Sequence, residues 1–237
     1  MVLCAAILAG GLGTRLRAVV EDRPKVMALV AGRPFITHIL DQLANSGIKR
    51  VVLCTGFLAD IVHDELGDTF KGMQLLYSVE ESPLGTGGAL RRASDLFAGG
   101  TVLVLNGDSY CRCNIHGFMD SWMESGSISG MALVRVEDVS RFGAVLTNDS
   151  FRVETFIEKG CKTGPGLINA GLYLLPSALI REIEPDRPVS LEREVIPRLV
   201  ADGLFGYHCT GPFIDIGIPE EYERAQLFFS GSMKGNL

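Results

Sequence analysis

The chain has 237 residues, 47% of them hydrophobic, and a formal net charge of −6, enough apolar material for one large α/β domain or two small ones. The acidic balance argues against a general surface for nucleic acid or anionic membrane, so any anion site has to be built locally from a few placed cations. No apolar stretch approaches the roughly 20 residues of a membrane span, the apolar N-terminal run lacks the basic residues of a secretory signal, and six scattered cysteines in a chain this long read as reduced cytoplasmic thiols.

Val2 to Leu8 is an apolar run of strand length and reads as a buried parallel strand. It feeds directly into Gly10-Gly11-Leu12-Gly13-Thr14-Arg15-Leu16. Glycines where a strand ends let the chain turn sharply and let backbone N–H groups approach a phosphate. Thr14 and Arg15 add a hydroxyl and a fixed positive charge, and Pro24-Lys25 sets a second cation on a stiffened turn. No Gly-Lys-Ser/Thr closes the stretch as in a Walker loop, and the third glycine of the dinucleotide fingerprint is missing. The alternatives here are a plain glycine turn and a site for several phosphates.

Pro34 and Gly47 bound a helix whose apolar face is Phe35, Ile36, Ile39, Leu40 and Leu43. A strand at 51–54, a helix over 57–66 and a strand from Met73 to Val79 follow. This βαβαβ rhythm predicts a Rossmann-like three-layer αβα sandwich, mostly parallel. Ligands on such a sheet bind outside the carboxyl ends of the strands, which places the glycine loop and the segment from Glu80 onward on one rim. That segment, Pro83-Leu84-Gly85-Thr86-Gly87-Gly88-Ala89, is a second glycine-rich stretch leading into a helix that ends near Phe97. Small residues there would let a base or ribose lie against backbone; the plainer reading is a loop with a helix N-terminus.

Strand 101–105 ends at Asn106-Gly107-Asp108. A carboxylate at the end of a central strand beside a phosphate site is a natural Mg²⁺ ligand, although it also serves in turns and caps. A helix over 114–125 carries Trp122, expected in the core. Cys111, Cys113 and His116 lie close together in the chain but match no zinc spacing. From Ile128 short strands at 129–136, 142–148, 151–157 and 167–174 read as an antiparallel extension forming one wall of a cleft. Two short helices follow, the second capped by Ser190 with Glu192 and Glu194 in its first turn. Strand 204–209 leads to Phe213-Ile214-Asp215-Ile216-Gly217, and Pro219 starts the last helix. Asp215, a lone acid in an apolar run, needs a cation or a hydrogen-bonding partner. The expected organisation is one domain over 1–237, with a nucleotide half (1–110) and an acceptor half (111–237).

In order along the chain, Gly10 to Leu16 with Pro24-Lys25, Pro83 to Ala89, Asn106-Gly107-Asp108, Arg141-Phe142-Gly143, Glu158-Lys159, Asn169 to Tyr173 and Asp215 to Pro219 resemble the motifs of the sugar-1-phosphate nucleotidylyltransferases. The resemblance implies transfer of a nucleoside monophosphate from a nucleoside triphosphate to a sugar 1-phosphate, with Mg²⁺. It casts Arg15, Lys25 and Asp108 as catalytic, and Asp108 and Asp215 as metal ligands. It places Leu8, Gly10, Gly11, Gly13, Thr14, Glu80, Pro83, Gly85, Thr86 and Gly107 on the nucleotide, and Asn106, Gly143, Glu158, Lys159 and Asn169 on the sugar phosphate. Within the family, Pro83–Ala89 and Phe213–Tyr222 look most like members that act on heptose 1-phosphates; the mannose 1-phosphate and N-acetylmuramate 1-phosphate branches share much of the skeleton. Glu80 bears on the base: a carboxylate only accepts hydrogen bonds, and guanine offers two adjacent donors where uracil offers one, which favours GTP. A silent nucleotide-sugar sensor would keep the glycine loops and lose the lysine or an acid, whereas Lys25, Asp108 and Asp215 are all present. A monomer or small homo-oligomer is expected.

Overall fold

The computed structural model describes residues 4–11, 16, 23–157 and 160–231. The first half builds the parallel part of a ten-stranded sheet. In chain order its elements are β1 (Cys4–Leu8), β2 (Leu29–Val30), β3 (Arg33–Pro34), α1 (Phe35–Asn45), β4 (Arg50–Thr55), α2 (Ala59–Leu66), β5 (Thr69–Phe70), β6 (Met73–Val79), α3 (Gly85–Arg92) and β7 (Thr101–Asn106). The second half contributes β8 (Ser109–Cys111), α4 (Ile115–Ser125), β9 (Gly130–Val136), β10 (Ala144–Thr147), β11 (Val153–Ile157), β12 (Gly166–Pro176), α5 (Ser177–Arg181), α6 (Ile196–Ala201), β13 (Phe205–Cys209), β14 (Phe213–Asp215) and α7 (Pro219–Phe229).

Strands β7, β1, β4 and β6 run parallel in that order, with Leu8 level with Asn106 and Cys54, and Thr55 level with Val79. Four carboxyl ends therefore form one rim. The chain leaves β1 toward β4 and later returns to β7 on the opposite side of β1. The strand order thus reverses between β1 and β7, the position where open α/β sheets bind ligands. Both faces of the sheet are covered, which is why the central strands β1 and β7 and the middle of β4 are continuously apolar. Ala5 and Ile7 face a core containing Phe35, Ile39, Leu40 and Leu43 of α1; Cys4 and Ala6 face one containing Ala89 and Leu90 of α3 and Ile180 of α5.

Strand β12 joins the halves. One edge pairs with β9; the other pairs with β7 over Leu172–Pro176 and with β10 at Leu167. The second edge is thus split, and a cleft opens between the end of β7 and β10. The expected extension is there, with two differences. Strand β13 runs parallel to β9, because a helical crossover returns it in the same direction. Strand β11 starts at Val153 rather than 151, since Asn148 turns the chain by accepting the N–H groups of Ser150 and Arg152. Trp122 is half-buried at the edge of the core, not inside it. Among the described residues, no helix is long and apolar enough to cross a membrane.

Candidate active site

The rim carries the first group of expected residues. Gly10 and Gly11 follow β1, with Gly11 exposed and nothing within 4 Å of where its Cβ would be. Gly107 is buried against β1: its N–H donates to the Leu8 carbonyl at 2.9 Å, and a Cβ would meet that oxygen at 2.6 Å. This close approach carries Asp108 past the end of β1 to Lys25, which a short turn behind Pro24 presents from below.

Lys25 Nζ lies 2.7 Å from Asp108 Oδ2 and 3.9 Å from Asp215 Oδ1. Its side chain is only 10% exposed, against 25% for Asp215 and 44% for Asp108. The two acids are held together by antiparallel pairing of β8 with β14, and the Ile216 N–H donates to the Asp108 carbonyl at 3.1 Å. Burial and then the neighbouring Asp108 charge push the Asp215 carboxyl above the ordinary aspartate range, only partly offset by Lys25 and the Gly217 N–H. Two adjacent carboxylates, that of Asp215 largely buried and that of Asp108 partly exposed, with one ammonium are short of positive charge. Two hard oxygen donors with room for substrate phosphates suit Mg²⁺.

Glu80 follows β6. Its Oε2 accepts the Leu84 N–H at 3.1 Å, and its side chain lies against the glycine strip: a Cβ on Gly10 would meet Oε1 at 2.5 Å and one on Gly56 would meet Cγ at 2.8 Å. Burial raises its pKa above the usual glutamate value. Pro83 is exposed on the same rim, and Gly85 takes a left-handed φ of +69°.

The second group lines a cleft of about 490 Å³ in the split beside β12. Its walls include Asn106, Asp108, Asn169, Gly171, Asp215 and three aromatic rings, Phe142, Phe156 and Phe213. Gly171, at φ +74°, leaves space for Asn106 Nδ2 and Ser109 Oγ, each 2.9 Å from a Cβ there. Asn106 Oδ1 is buried without a hydrogen-bond partner among the described residues, which leaves it open to a donor entering the cleft, water or ligand.

Three of the expected residues also bond within the protein. Both ends of the Asn169 amide are used internally: Nδ2 donates to the Tyr173 hydroxyl at 2.6 Å, and Oδ1 accepts the Gly171 N–H at 2.9 Å. Asn169 thus holds the β12 bulge that opens the cleft. Gly143 is buried in a turn, its N–H bonded to the Val139 carbonyl, and sets the position of Phe142. The Thr86 hydroxyl faces the sugar-side segment, donating to Glu192 Oε2 and accepting the Leu191 N–H. Gly13, Thr14, Arg15, Glu158 and Lys159 lie outside the described residues.

Sequence reasoning missed Ser190, Glu192 and Arg193 as cleft residues. The Ser190 cap was legible, but the turn after it, Leu191–Val195, is π-wound, a geometry frequent at functional sites. Its charges were therefore read as helix-end residues.

Glycines at the reversal of strand order, an ammonium bridging two acids, and a polar cleft walled by aromatics define a nucleotidyltransferase of the nucleotide-diphospho-sugar transferase fold. The chain belongs to the nucleotidyl transferase family, whose model matches residues 4–231. It is 38% identical over 224 residues to the mannose-1-phosphate guanylyltransferase of Mycobacterium tuberculosis; the match covers 93% of this chain but 62% of that protein's length. It is 34% identical to the D-glycero-alpha-D-manno-heptose 1-phosphate guanylyltransferase of Aneurinibacillus thermoaerophilus, covering 94% of this chain and 96% of that protein. The crystal structure of HddC from Yersinia pseudotuberculosis complexed with GMP-PN superposes with a TM-score of 0.85 at 34% identity, over 96% of this chain and 99% of that one.

Proposed function

We propose that this chain transfers GMP from GTP to a sugar 1-phosphate, D-glycero-α-D-manno-heptose 1-phosphate before others, giving GDP-heptose and pyrophosphate for surface polysaccharide assembly. The observation that carries this reading is the bridge from Lys25 to Asp108 and Asp215 at the mouth of the aromatic cleft. The near full-length match to the heptose enzyme supports the sugar choice. Mannose 1-phosphate is the second reading, supported by the 38% identity of the mycobacterial relative.

A phosphate oxygen of the sugar 1-phosphate attacks the α-phosphorus of GTP, and the bond to the β-phosphate oxygen breaks. The attacking oxygen is already anionic, so no general base is needed. The protein's task is to bring two polyanions together and to stabilise charge at the α-phosphorus. Lys25 supplies a fixed cation there, joined by Arg15, which the family resemblance assigns to the same role. Asp108 and Asp215 would hold Mg²⁺, which when bound neutralises the phosphates and the leaving pyrophosphate. Gly10, Gly11 and Gly107 give the phosphates access to backbone, and Glu80 accepts from guanine. Asn106 accepts a sugar hydroxyl, and the resemblance assigns Glu158 to hydroxyls and Lys159 to the sugar phosphate. The whole works as one domain in the cytoplasm, where GTP is available.

Incubation with GTP, Mg²⁺ and each of the two sugar 1-phosphates, with products identified by mass spectrometry, tests this. The reading requires a GDP-sugar and one pyrophosphate per turnover. GTP hydrolysis to GMP without a GDP-sugar contradicts it.

A further inference from the structure

The second glycine stretch, which sequence reasoning gave to the nucleotide, is shaped by the sugar-side chain. A Cβ on Gly85 would meet the Val189 carbonyl oxygen at 2.6 Å, one on Gly87 the Val189 side chain at 2.9 Å, and one on Gly88 the Arg187 carbonyl oxygen at 2.9 Å. Backbone bonds follow this approach: Val189 N–H donates to the Leu84 carbonyl and Gly87 N–H to the Val189 carbonyl, each at 2.8 Å. Thr86 completes the brace from its side chain, giving a hydrogen bond to Glu192 Oε2 at 2.9 Å and taking one from the Leu191 N–H at 2.8 Å. Ser190 Oγ also donates to Glu192 Oε2, at 3.2 Å. Two hydroxyls thus hold one oxygen of a carboxylate that lines the cleft. The other oxygen, Oε1, has no hydrogen bond among the described residues.

We propose that Glu192 accepts a hydroxyl of the sugar 1-phosphate and that Thr86 is its positioning residue, acting through the sugar side of the reaction from within the nucleotide-side loop. This deepens the proposed function and rests on it. A rotamer-rich glutamate tethered at Oε2 presents Oε1 at a fixed place, lowering the ordering cost of binding. The single hydroxyl proton of Thr86 is committed to Glu192 and its oxygen already takes the Leu191 N–H, so Thr86 bears on the sugar through Glu192.

The experiment is a steady-state comparison of wild type, Thr86→Val, Thr86→Ser, Glu192→Gln and the double variant Thr86→Val/Glu192→Gln. Each is assayed by pyrophosphate release with GTP or UTP and with heptose or mannose 1-phosphate. Thr86→Val is expected to raise KM for the sugar 1-phosphate about tenfold, the usual order for losing a hydrogen bond to a charged group, with KM for the nucleotide nearly unchanged. Thr86→Ser restores the wild-type value. Glu192→Gln raises the same KM, and the double variant is no worse than the worse single one, since both lie on one path. The proposal is overturned if Thr86→Val raises KM for the nucleotide instead, if neither KM moves, or if the two variants add fully. A wild type that uses UTP sinks the guanylyl assignment alone; the split between sugar and nucleotide KM is then read with that pair. No pyrophosphate with any pair overturns both.

Discussion

Replacing Lys25 by methionine removes the ammonium and keeps the length of the side chain. Two carboxylates, of Asp108 and Asp215, then face each other without the cation that now lies 2.7 and 3.9 Å from them. Breaking a buried pair by deleting one member costs about 3–5 kcal/mol. Asp108 is 44% exposed, so water recovers much of that, and about 1–2 kcal/mol is expected. For a chain of this size that is a fall in Tm of about 2–8 °C, read by thermal melting at pH 7 with EDTA. The Asp215 carboxyl, already raised by burial and by Asp108, moves further up in the variant. Excess Mg²⁺ should therefore stabilise Lys25→Met more than wild type, since the metal replaces a missing charge and no longer competes with one. Turnover should fall at least ~100-fold, as for other losses of a group that stabilises charge in the transition state. An unchanged Tm in EDTA with near-normal turnover would refute the reasoning and leave Lys25 with neither a stabilising nor a catalytic role.

Asp215→Asn should lose turnover at least ~100-fold and yet melt no lower than wild type at neutral pH without metal. The sign follows from linkage: a carboxyl whose folded pKa is raised costs stability once pH climbs above the ordinary aspartate value, and that cost disappears as pH falls back through it. The gain of Asp215→Asn should accordingly shrink toward pH 4, and a gain that grows on acidification would contradict the assignment. Glu80→Gln should lower the ratio of kcat/KM for GTP to that for UTP by about 5–150-fold, the amide oxygen keeping the Leu84 N–H while a donor faces guanine; an unchanged ratio removes Glu80 from base reading. Gly85→Ala should destabilise the fold by about 2 kcal/mol or more, from the left-handed φ and the clash with Val189, whereas Gly11→Ala should leave Tm unchanged. Equal melting of the two would mean that the brace is not under the packing constraint seen here.

Much of the architecture was legible because it rests on local signals. The apolar runs of β1, β4, β6 and β7, the Phe35–Leu43 face of α1 and the Ser190 and Pro219 helix starts are all written in residue spacing. The rim followed from the parallel rule, which put the glycine loop and Glu80 on one edge, while the grouping of Lys25 with Asp108 came from the family resemblance. What was not legible depends on contacts between segments distant in sequence. The glycines at 85, 87 and 88 look like a ligand loop, yet their neighbour is the backbone at 187–189, about 100 residues away in the chain. That Asn169 also holds the β12 bulge was not legible, because nothing local shows that Gly171 and Tyr173 bond to its amide. The fork at β12, where β7 and β10 share one edge, has no sequence signature beyond an unusually long apolar strand.

The central claim is a guanylyl transfer run at the Lys25–Asp108–Asp215 centre onto a heptose 1-phosphate. The most direct measurement is one competition reaction in which GTP and UTP, with heptose 1-phosphate and mannose 1-phosphate, are all present at equal concentration with Mg²⁺. Products are quantified by mass spectrometry for wild type and Asp108→Asn. GDP-heptose is expected as the major product of wild type, with all nucleotide-sugar formation falling at least ~100-fold in Asp108→Asn. A UDP-sugar as the major product, or Asp108→Asn working as well as wild type, would contradict it.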